Sequence, residues 1–462
     1  MKDKELGYDP SSAESIWQYS AGLLGHCLRD FVSDTYVSKE GKGRLGQMVE
    51  EIYFHIENNS RAEADFLKAG MELKCTPLKK DTKEELRIKE RLVCNMINYS
   101  EVVNESFEES HFYQKCQLML ILFYLHISNA DQLDLEFLIS LLWRFPAKDL
   151  EIIRQDYNKI IGKIKAGKAH ELSEGDTMYL GACRKGQKGD PLQNQPYNAE
   201  VKAPKRAFTL KTAYMRIVLN MVLASGKNHL NLVNPQLSEL VTTRELKSKT
   251  FDQIVIDRFT PFIGKQYEKI AKKLHIDLLN NPKSRFAMLA HAIASKGKSS
   301  NVNRSEEFQK AGLHMKTIRV QYDGKIKESM SFENIDYNEV HECNDWYDSR
   351  LYEIFSSRFL FVVFKEQHKD AGDFILEKTF FWTMPQEDLA TAEAYWMNIR
   401  DCVENNTIAP EYFWKLADKR KFHVRPKAAT ASEKVEAPLG GMVKKYCYWF
   451  NNQYISKIVE NN

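Results

Sequence analysis

Apolar residues recur along this chain with different periods, and each period predicts a different kind of element. Helical spacing of apolar positions predicts helices over residues 13–32, 47–57 and 149–167. The run CQLMLILFYLHI at 116–127 is almost continuously apolar, which is typical of a strand buried on both faces, although a buried helix would give the same pattern. Residues 205–222 predict a strand or turn that leads into a helix. The chain is therefore expected to fold as an α/β protein.

The same pattern of segments occurs twice. KAGMELK at 68–74 recurs as KAGLHMK at 310–316, and IKERLVCNMINYSEV, which begins at Ile88, recurs as IKESMSFENIDYNEV, which begins at Ile326. Further pairs follow in the same order, among them FPAKDLEIIRQDYNKI and MPQEDLATAEAYWMNI. Collinear matches of this kind predict two copies of one fold that meet near residues 226–248. We place a first domain at 1–235, a linker at 236–248 and a second domain at 249–462.

Composition narrows the class of protein without naming a function. The 462 residues carry 66 Lys and Arg against 63 Asp and Glu, so a surface for nucleic acid would have to be a local cluster. The N-terminal stretch is charged where a secretory signal would be apolar, and no apolar run is long enough to span a bilayer. A cytoplasmic location is expected. The eight cysteines are scattered without a C-x-x-C pair, which argues against a zinc ribbon or a disulfide framework.

The stretch DFLKAGMELK, from Asp65 to Lys74, carries the candidate chemistry. On a strand, Glu72 and Lys74 would project from one face while their neighbours Met71, Leu73 and Cys75 face an apolar interior. Together with Asp65 they would form a site of two carboxylates and one ammonium. Mg²⁺ prefers such carboxylate oxygens and commonly binds substrate phosphates as well. The pattern indicates phosphodiester chemistry, although a half-exposed strand with alternating charges would give it too.

The second copy changes this stretch. Glu72 aligns with His314 and Asp65 with Glu307, whereas Lys74 is matched by Lys316. Replacing a carboxylate with imidazole weakens a site for a hard cation. We therefore expect the second domain to be catalytically silent, and its basic stretch at 423–434 suggests that it still contacts phosphates or bases.

At these residues the chain resembles a known family. AGMELKCTPLKK is similar to the active-site strand of the mismatch-repair endonuclease MutH and of the related GATC-cutting type II restriction endonucleases. GQMVEEIYF, KERLVCNMINY, GKAHELSEGDTMYL and RAFTLK follow in the order expected for those restriction enzymes, along nearly the whole chain. The resemblance implies two tandem restriction-endonuclease-like domains, each a mixed central sheet flanked by helices, and Mg²⁺-dependent hydrolysis of double-stranded DNA at GATC.

The resemblance also implies roles for individual residues. Asp65 and Glu72 correspond to the metal-binding carboxylates, Lys74 to the ammonium that orients or activates the attacking water, and Glu50 to a carboxylate on a helix, with Glu51 one position away. Lys115 corresponds to a lysine near the scissile phosphate. The candidates for DNA contact are Arg184, Lys185, Arg425 and Lys427.

The implied mode of action involves two DNA sites. HVRPKAATA in the second copy resembles the recognition loop of MutH more closely than LGACRKG in the first copy does, and a family tyrosine is replaced by Thr209. The resemblance implies that the silent domain binds a second GATC site as an allosteric effector, with no obligatory protein partner. The alternatives are a DNA-binding protein with a decayed site and a methyl-directed repair nuclease.

Overall fold

The chain forms two compact units, Met1–Gln236 and Leu237–Asn462. The computed structural model describes residues 6–33, 44–56, 63–81, 83–186, 189–225, 237–278, 284–298, 301–427 and 433–462. Of the predicted linker 236–248, residues 237–248 are grouped with the second unit. Leu240 and Val241 are buried there, and the Thr242 side chain accepts a hydrogen bond from Glu245 N to cap a helix. The rest of the predicted junction, 226–236, lies outside the described residues.

The first unit combines two sheets and a hairpin with helices. Its helices are α1 Ala13–Ser20, α2 Arg44–Met48, α3 Tyr99–Val102, α4 His111–Cys116, α5 Ala147–Lys165 and α6 Thr212–Ser225. Its strands are β1 Glu72–Lys80, β2 Leu86–Ile88, β3 Leu92–Met96, β4 Met119–Leu125, β5 Phe137–Trp143, β6 Leu180–Arg184, β7 Gln193–Gln195, β8 Asn198–Ala203 and β9 Arg206–Leu210.

A mixed sheet carries the candidate catalytic strand of the first unit. Its order is β2-β1-β4-β5, with β1 parallel to β4 and antiparallel pairs at both sides. Strand β4 is buried from Met119 to Phe123, as expected of a strand covered on both faces. A second, antiparallel sheet has the order β3-β9-β6, and β7 pairs with β8.

The second unit has the same architecture. Its helices are α7 Thr243–Ser248, α8 Phe251–Phe259, α9 Tyr267–Leu274, α10 Arg285–Ser295, α11 Glu306–Ala311, α12 Tyr337–Glu342, α13 Arg350–Phe355, α14 Gln386–Glu404 and α15 Asn452–Glu460. Its strands are β10 His314–Val320, β11 Met330–Asn334, β12 Arg358–Glu366, β13 Phe374–Thr383, β14 Phe422–Pro426, β15 Lys434–Glu436, β16 Met442–Lys444 and β17 Tyr446–Phe450.

Strand pairing in the second unit repeats that of the first. Strand β10 runs parallel to β12, which pairs antiparallel with β13, and a separate antiparallel sheet has the order β11-β17-β14. Strands β15 and β16 form the hairpin. The expected fold class, two tandem α/β domains with mixed sheets and flanking helices, is confirmed. Among the described residues, no helix is both long and apolar enough to cross a membrane.

Two predicted helices are shorter in the structure. The helix expected over 13–32 ends at Ser20 and gives way to 3₁₀ turns. It cannot continue because Leu24 bridges to Phe137 and Gly25 adopts a positive φ of 79°. The helix expected over 47–57 begins at Arg44, changes at Val49 into a π-helical turn and ends by Tyr53.

Candidate active site

A closed loop holds Asp65 beside the start of β1. The backbone of Phe66 donates to Met71 O at 2.9 Å, and Met71 N donates back to Phe66 O at 3.3 Å. Gly70 has a φ of 60°, a left-handed conformation that glycine adopts at little cost. The Asp65 Oδ2 atom accepts a hydrogen bond from Leu73 N at 2.9 Å. The six residues between Asp65 and Glu72 therefore fold back so that both carboxylates lie at one end of the strand.

Two lysines meet at the Glu72 carboxylate. Glu72 is 2% exposed, and its Oε1 atom lies 2.7 Å from Lys74 Nζ and 3.2 Å from Lys115 Nζ. Lys74 Nζ also donates to Cys94 O at 3.0 Å. Burial disfavours the charged form of Lys74, but attraction to Glu72 outweighs that effect, and the Lys74 pKa lies above its ordinary value. Glu72 and Lys74 share a face of β1, as predicted.

The π-helical turn Val49–Tyr53 brings a third carboxylate to the cluster. Burial, reinforced by repulsion from Asp65 and Glu72, raises the pKa of Glu50 to about 7. Burial and the Glu72 charge likewise raise the pKa of Asp65 to about 6. π-helical turns of this kind often occur at functional sites. The electrostatic contact with Asp65 and Glu72 supports Glu50 as the carboxylate carried by a helix.

The carboxylates suit a divalent cation by their chemistry. Within the described ranges, no three His, Cys, Asp or Glu side chains are grouped closely enough to enclose a metal ion as they stand. The Glu72 Oε2 atom, however, is buried and has no hydrogen-bond partner. Burying a carboxylate oxygen without a partner is costly, and a metal ligand bond would satisfy it. The unpaired oxygen and the raised pKa values of Glu50 and Asp65 fit a cation held by these residues.

A cavity of about 880 Å³ adjoins this cluster. Cys94 and Lys115 line it together with amide side chains that the sequence analysis missed: Asn95 and Asn98, and Gln193 and Asn194 from the region of the β7–β8 hairpin. Asn95 and Asn98 lie in KERLVCNMINY, and Gln193 and Asn194 lie in the segment GDPLQNQPYN. Neither sequence indicates which side chains face a cavity. Amides of this kind can read base edges.

The DNA-contact candidates of the first unit lie at the end of β6. Arg184 is exposed and stands opposite Arg206, while Lys185 N donates to Lys205 O at 2.8 Å. Neither Arg184 nor Lys185 appears among the residues that line the cavity. Thr209 is fully buried in β9. It cannot contact a base edge from that position.

In the second unit, the positions equivalent to Glu72, Lys115 and Asp65 differ in side chain or in contacts. His314 replaces Glu72, and burial, with Lys316 contributing, lowers its pKa to about 4, so the imidazole is neutral at pH 7. Ser110 caps α4 and Ser349 caps α13. Counted from these two serines, Lys115 corresponds to Ile354, which is buried. Glu307, aligned with Asp65, is fully buried and accepts hydrogen bonds from Leu240 N at 3.0 Å and Val241 N at 3.2 Å.

The helix-borne carboxylate has also been replaced. When the buried residues Leu45, Met48 and Val49 are aligned with Phe286, Leu289 and Ala290 of α10, Glu50 corresponds to His291. Burial lowers the pKa of His291 to about 4, and its Nδ1 atom accepts a hydrogen bond from Val302 N at 3.2 Å. Both carboxylates that lie beside Asp65 in the first unit thus become neutral imidazoles in the second.

The basic stretch of the second unit begins on β14. Arg425 is exposed, and its guanidinium lies 5.0 Å from the centre of the Trp449 ring. Lys427 Nζ donates to Ser331 Oγ and to Phe332 O, both at 3.1 Å. Residues 428–432 of the predicted recognition stretch lie outside the described residues. Arg425 is thus displayed at the surface, whereas Lys427 turns toward β11.

Comparison with known proteins identifies the family. The family model described as "DNA mismatch repair enzyme MutH" matches residues 54–156 and 297–394, one stretch in each unit. The type II restriction enzyme Sau3AI of Staphylococcus aureus is 31% identical over 470 aligned residues, which cover 92% of this chain and 93% of that protein. MutH proteins of Shewanella sp. (strain W3-18-1) and Shewanella putrefaciens are each 27% identical over 187 residues, or 39% of this chain and 80% of theirs. The chain therefore belongs to the MutH and Sau3AI family of site-specific deoxyribonucleases.

Proposed function

We propose that this chain is a type II restriction endonuclease that hydrolyses double-stranded DNA at GATC sites with Mg²⁺, using the first unit. The observation that carries the proposal is the buried Glu72 carboxylate. One of its oxygens contacts two lysines, while the other is unpartnered and lies in a cluster with Asp65 and Glu50. The GATC site comes from the resemblance of AGMELKCTPLKK and the segments around it to GATC-cutting enzymes.

The residues of the cluster divide the chemistry between them. Asp65 and Glu72, with Glu50 beside them, would hold the cation. A bound Mg²⁺ would polarise the scissile phosphate and lower the pKa of the attacking water. Lys74 and Lys115 place two ammonium groups at the same carboxylate, where they can stabilise the negative charge that develops on the phosphoryl oxygens. Lys74 is also hydrogen-bonded to Cys94 O, which fixes its direction.

Base recognition in the first unit would involve two groups of residues. Arg184 and Lys185 carry donors that suit guanine O6 and N7 in the major groove. The amides that line the cavity, including Asn95 and Gln193, suit adenine N6 and N7. These amides adjoin Lys115, so a base held there would lie close to the reacting phosphate.

The second unit would bind another GATC site without cutting it. Its exposed Arg425 and nearby Lys427 supply donors for DNA, and His314 replaces the carboxylate that the reaction needs. For this site to act as an allosteric effector, the second unit must bind DNA more tightly when the first unit is in its active state. No further protein would then be needed.

Two other functions fit less well. A DNA-binding protein with a decayed site would not be expected to keep Asp65, Glu72 and Lys74 grouped as they are. A methyl-directed repair nuclease depends on a separate activator, whereas this chain carries a second copy of its own fold.

Digestion of an unmethylated plasmid tests the proposal directly. Incubation with Mg²⁺ should give fragments whose sequenced ends all map to GATC, and incubation with EDTA should leave the plasmid intact. Absence of Mg²⁺-dependent cutting, or ends unrelated to GATC, would refute it.

A further inference from the structure

Two lysines of the second unit converge on one residue of β11. Lys316, on β10, donates from Nζ to Ser331 O at 2.9 Å. Lys427, just beyond β14, donates from Nζ to Ser331 Oγ at 3.1 Å. A strand of one sheet and the residue that follows a strand of the other sheet therefore direct ammonium groups to the same position.

The positive charge at this position is not balanced by nearby carboxylates. Within the described part of the chain, neither Lys316 nor Lys427 forms an ion pair. The carboxylate that acts on Lys316, that of Glu333, already accepts hydrogen bonds from Nη2 and Nε of Arg350, at 2.6 and 3.0 Å. His314 is neutral at pH 7.

The electrostatics agree with this geometry. Burial, followed by repulsion from Lys427, lowers the pKa of Lys316 to about 8. Cys447 and Glu333 act in the opposite direction and offset the effect only in part. Lys316 is half-buried, so its charged form lacks both full hydration and a counter-ion. An anion near both ammonium groups would supply the counter-charge.

We propose that Lys316 and Lys427 form a binding site for a phosphate group in the second unit. The first unit pairs the equivalent lysine with Glu72 and so builds a site suited to a cation. With His314 in place of Glu72, the same framework attracts an anion instead. The ligand is either a phosphodiester of the DNA backbone or free phosphate, which share the anionic oxygens that ammonium groups bind. Binding of a DNA phosphate there rests on the proposed function of the second unit.

The first experiment uses inorganic phosphate and the full-length chain. Phosphate that binds the folded protein should raise its unfolding temperature relative to chloride at equal ionic strength. Lys316→Met and Lys427→Met should each abolish this increase, and Lys427→Arg should retain it. Lys325→Met is the matched control, since Lys325 is exposed and already paired with Asp323 at 2.6 Å. Lys427 is exposed, so its variants test the site even if Lys316→Met fails to fold.

The decisive outcome is the effect of phosphate on the unfolding temperature. Loss of the increase in the Lys427→Met variant, with retention in Lys325→Met, supports the anion site. An increase that persists undiminished in Lys427→Met overturns it. Because this arm contains no DNA, it succeeds or fails independently of the proposed endonuclease activity.

The second arm identifies the source of the phosphate. DNA binding by the full chain in EDTA should weaken about tenfold in Lys427→Met. The salt slope should become shallower by about one for a GATC duplex and a scrambled duplex alike, whereas Lys325→Met should change neither. A shallower slope assigns the site to a DNA phosphodiester. If Lys427→Met loses the phosphate-dependent increase in unfolding temperature but keeps the salt slope unchanged, the site binds free phosphate. That result would overturn the assignment to DNA.

Discussion

The two units place one lysine in the same framework and give it opposite surroundings. Lys74 and Lys316 each lie on the strand that pairs in parallel with the central buried strand. Each donates to a backbone carbonyl on a strand of the second sheet, Cys94 O at 3.0 Å or Ser331 O at 2.9 Å. Their pKa values nevertheless shift in opposite directions, up for Lys74 and down for Lys316. The sheet positions the lysine in both units, whereas attraction to Glu72 raises the pKa of Lys74 and burial with repulsion from Lys427 lowers the pKa of Lys316.

The aligned carboxylates of Asp65 and Glu307 also have different surroundings in the two units. Asp65 is partly buried and accepts a hydrogen bond from Leu73 N. Glu307 is fully buried and accepts from the backbone of Leu240 and Val241, which ties the entry segment of the second unit to α11. The aligned acidic residue of the second unit is therefore a structural residue. Alignment alone does not distinguish the two roles.

The largest expected difference between the units concerns these carboxylates. Asp65→Ala should reduce Mg²⁺-dependent cleavage to background because it removes a cation ligand. Glu307→Ala should instead destabilise the protein, by about 1–3 kcal/mol for each buried N–H left without an acceptor. Single-turnover cleavage and thermal unfolding of both variants check this pair. Cleavage by Asp65→Ala at the unmutated rate would contradict the assignment.

The lysine of the first unit should matter next. Lys74→Ala should slow cleavage by about a hundredfold or more, the scale for loss of one preorganised charge-stabilising donor. Lys80→Ala is a control on the same strand, because Lys80 is exposed and paired with Glu84. Rapid-quench measurement under saturating enzyme isolates the chemical step. Equal rates for the two variants would remove Lys74 from the mechanism.

A smaller effect is expected for recognition by the second unit. If Arg425 reads a base, Arg425→Ala should cost about 1–3 kcal/mol of the preference for GATC over a scrambled duplex. Competition binding in EDTA measures that preference. The variant should also cut a plasmid with one GATC site more slowly, and a short cleavage-resistant GATC duplex should stimulate the unmutated enzyme but not the variant. An unchanged preference would assign Arg425 to the backbone or to structure.

The smallest expected effect is on stability and depends on pH. The folded-state pKa values of Glu50 and Asp65 are raised to about 7 and 6, so the folded protein binds more protons than the unfolded chain above about pH 4. Their contribution to stability is therefore lost as the pH rises through this window. In EDTA, Glu50→Gln should unfold at a higher temperature than the unmutated protein at pH 8, and the two should converge near pH 4. A difference that does not vary with pH would contradict this electrostatic origin.

Hydrophobic periodicity predicted individual elements of the fold. The alternation around Glu72 and Lys74 correctly placed both side chains on one face. The apolar run at 116–127 was compatible with a buried strand or a buried helix, and the structure shows that it contains the buried strand β4. The period of apolar residues indicates local secondary structure because neighbouring residues largely determine it. The collinear sequence repeats separately predicted two copies of one fold.

Features that depend on contacts between distant parts of the sequence could not be predicted from hydrophobic periodicity or repeats. The N-terminal helix stops early because Leu24 bridges to Phe137, far along the chain. Lys115 reaches Glu72 only because β4 pairs in parallel with β1. The hydrogen bonds from Leu240 N and Val241 N to Glu307 likewise form only in the folded second unit. None of these contacts leaves a periodic signal in the sequence.

The division of labour between the units is tested most directly by one aligned pair of substitutions. Glu72→Ala and His314→Ala alter equivalent positions, and single-turnover cleavage of a GATC duplex with Mg²⁺ by the two full-length variants compares them. The account predicts no detectable cleavage by Glu72→Ala, with DNA binding retained, because Glu72 contacts Lys74 and Lys115. For His314→Ala it predicts a chemical step within about twofold of the unmutated enzyme. Robust cleavage by Glu72→Ala, or an equal loss in both variants, would contradict it.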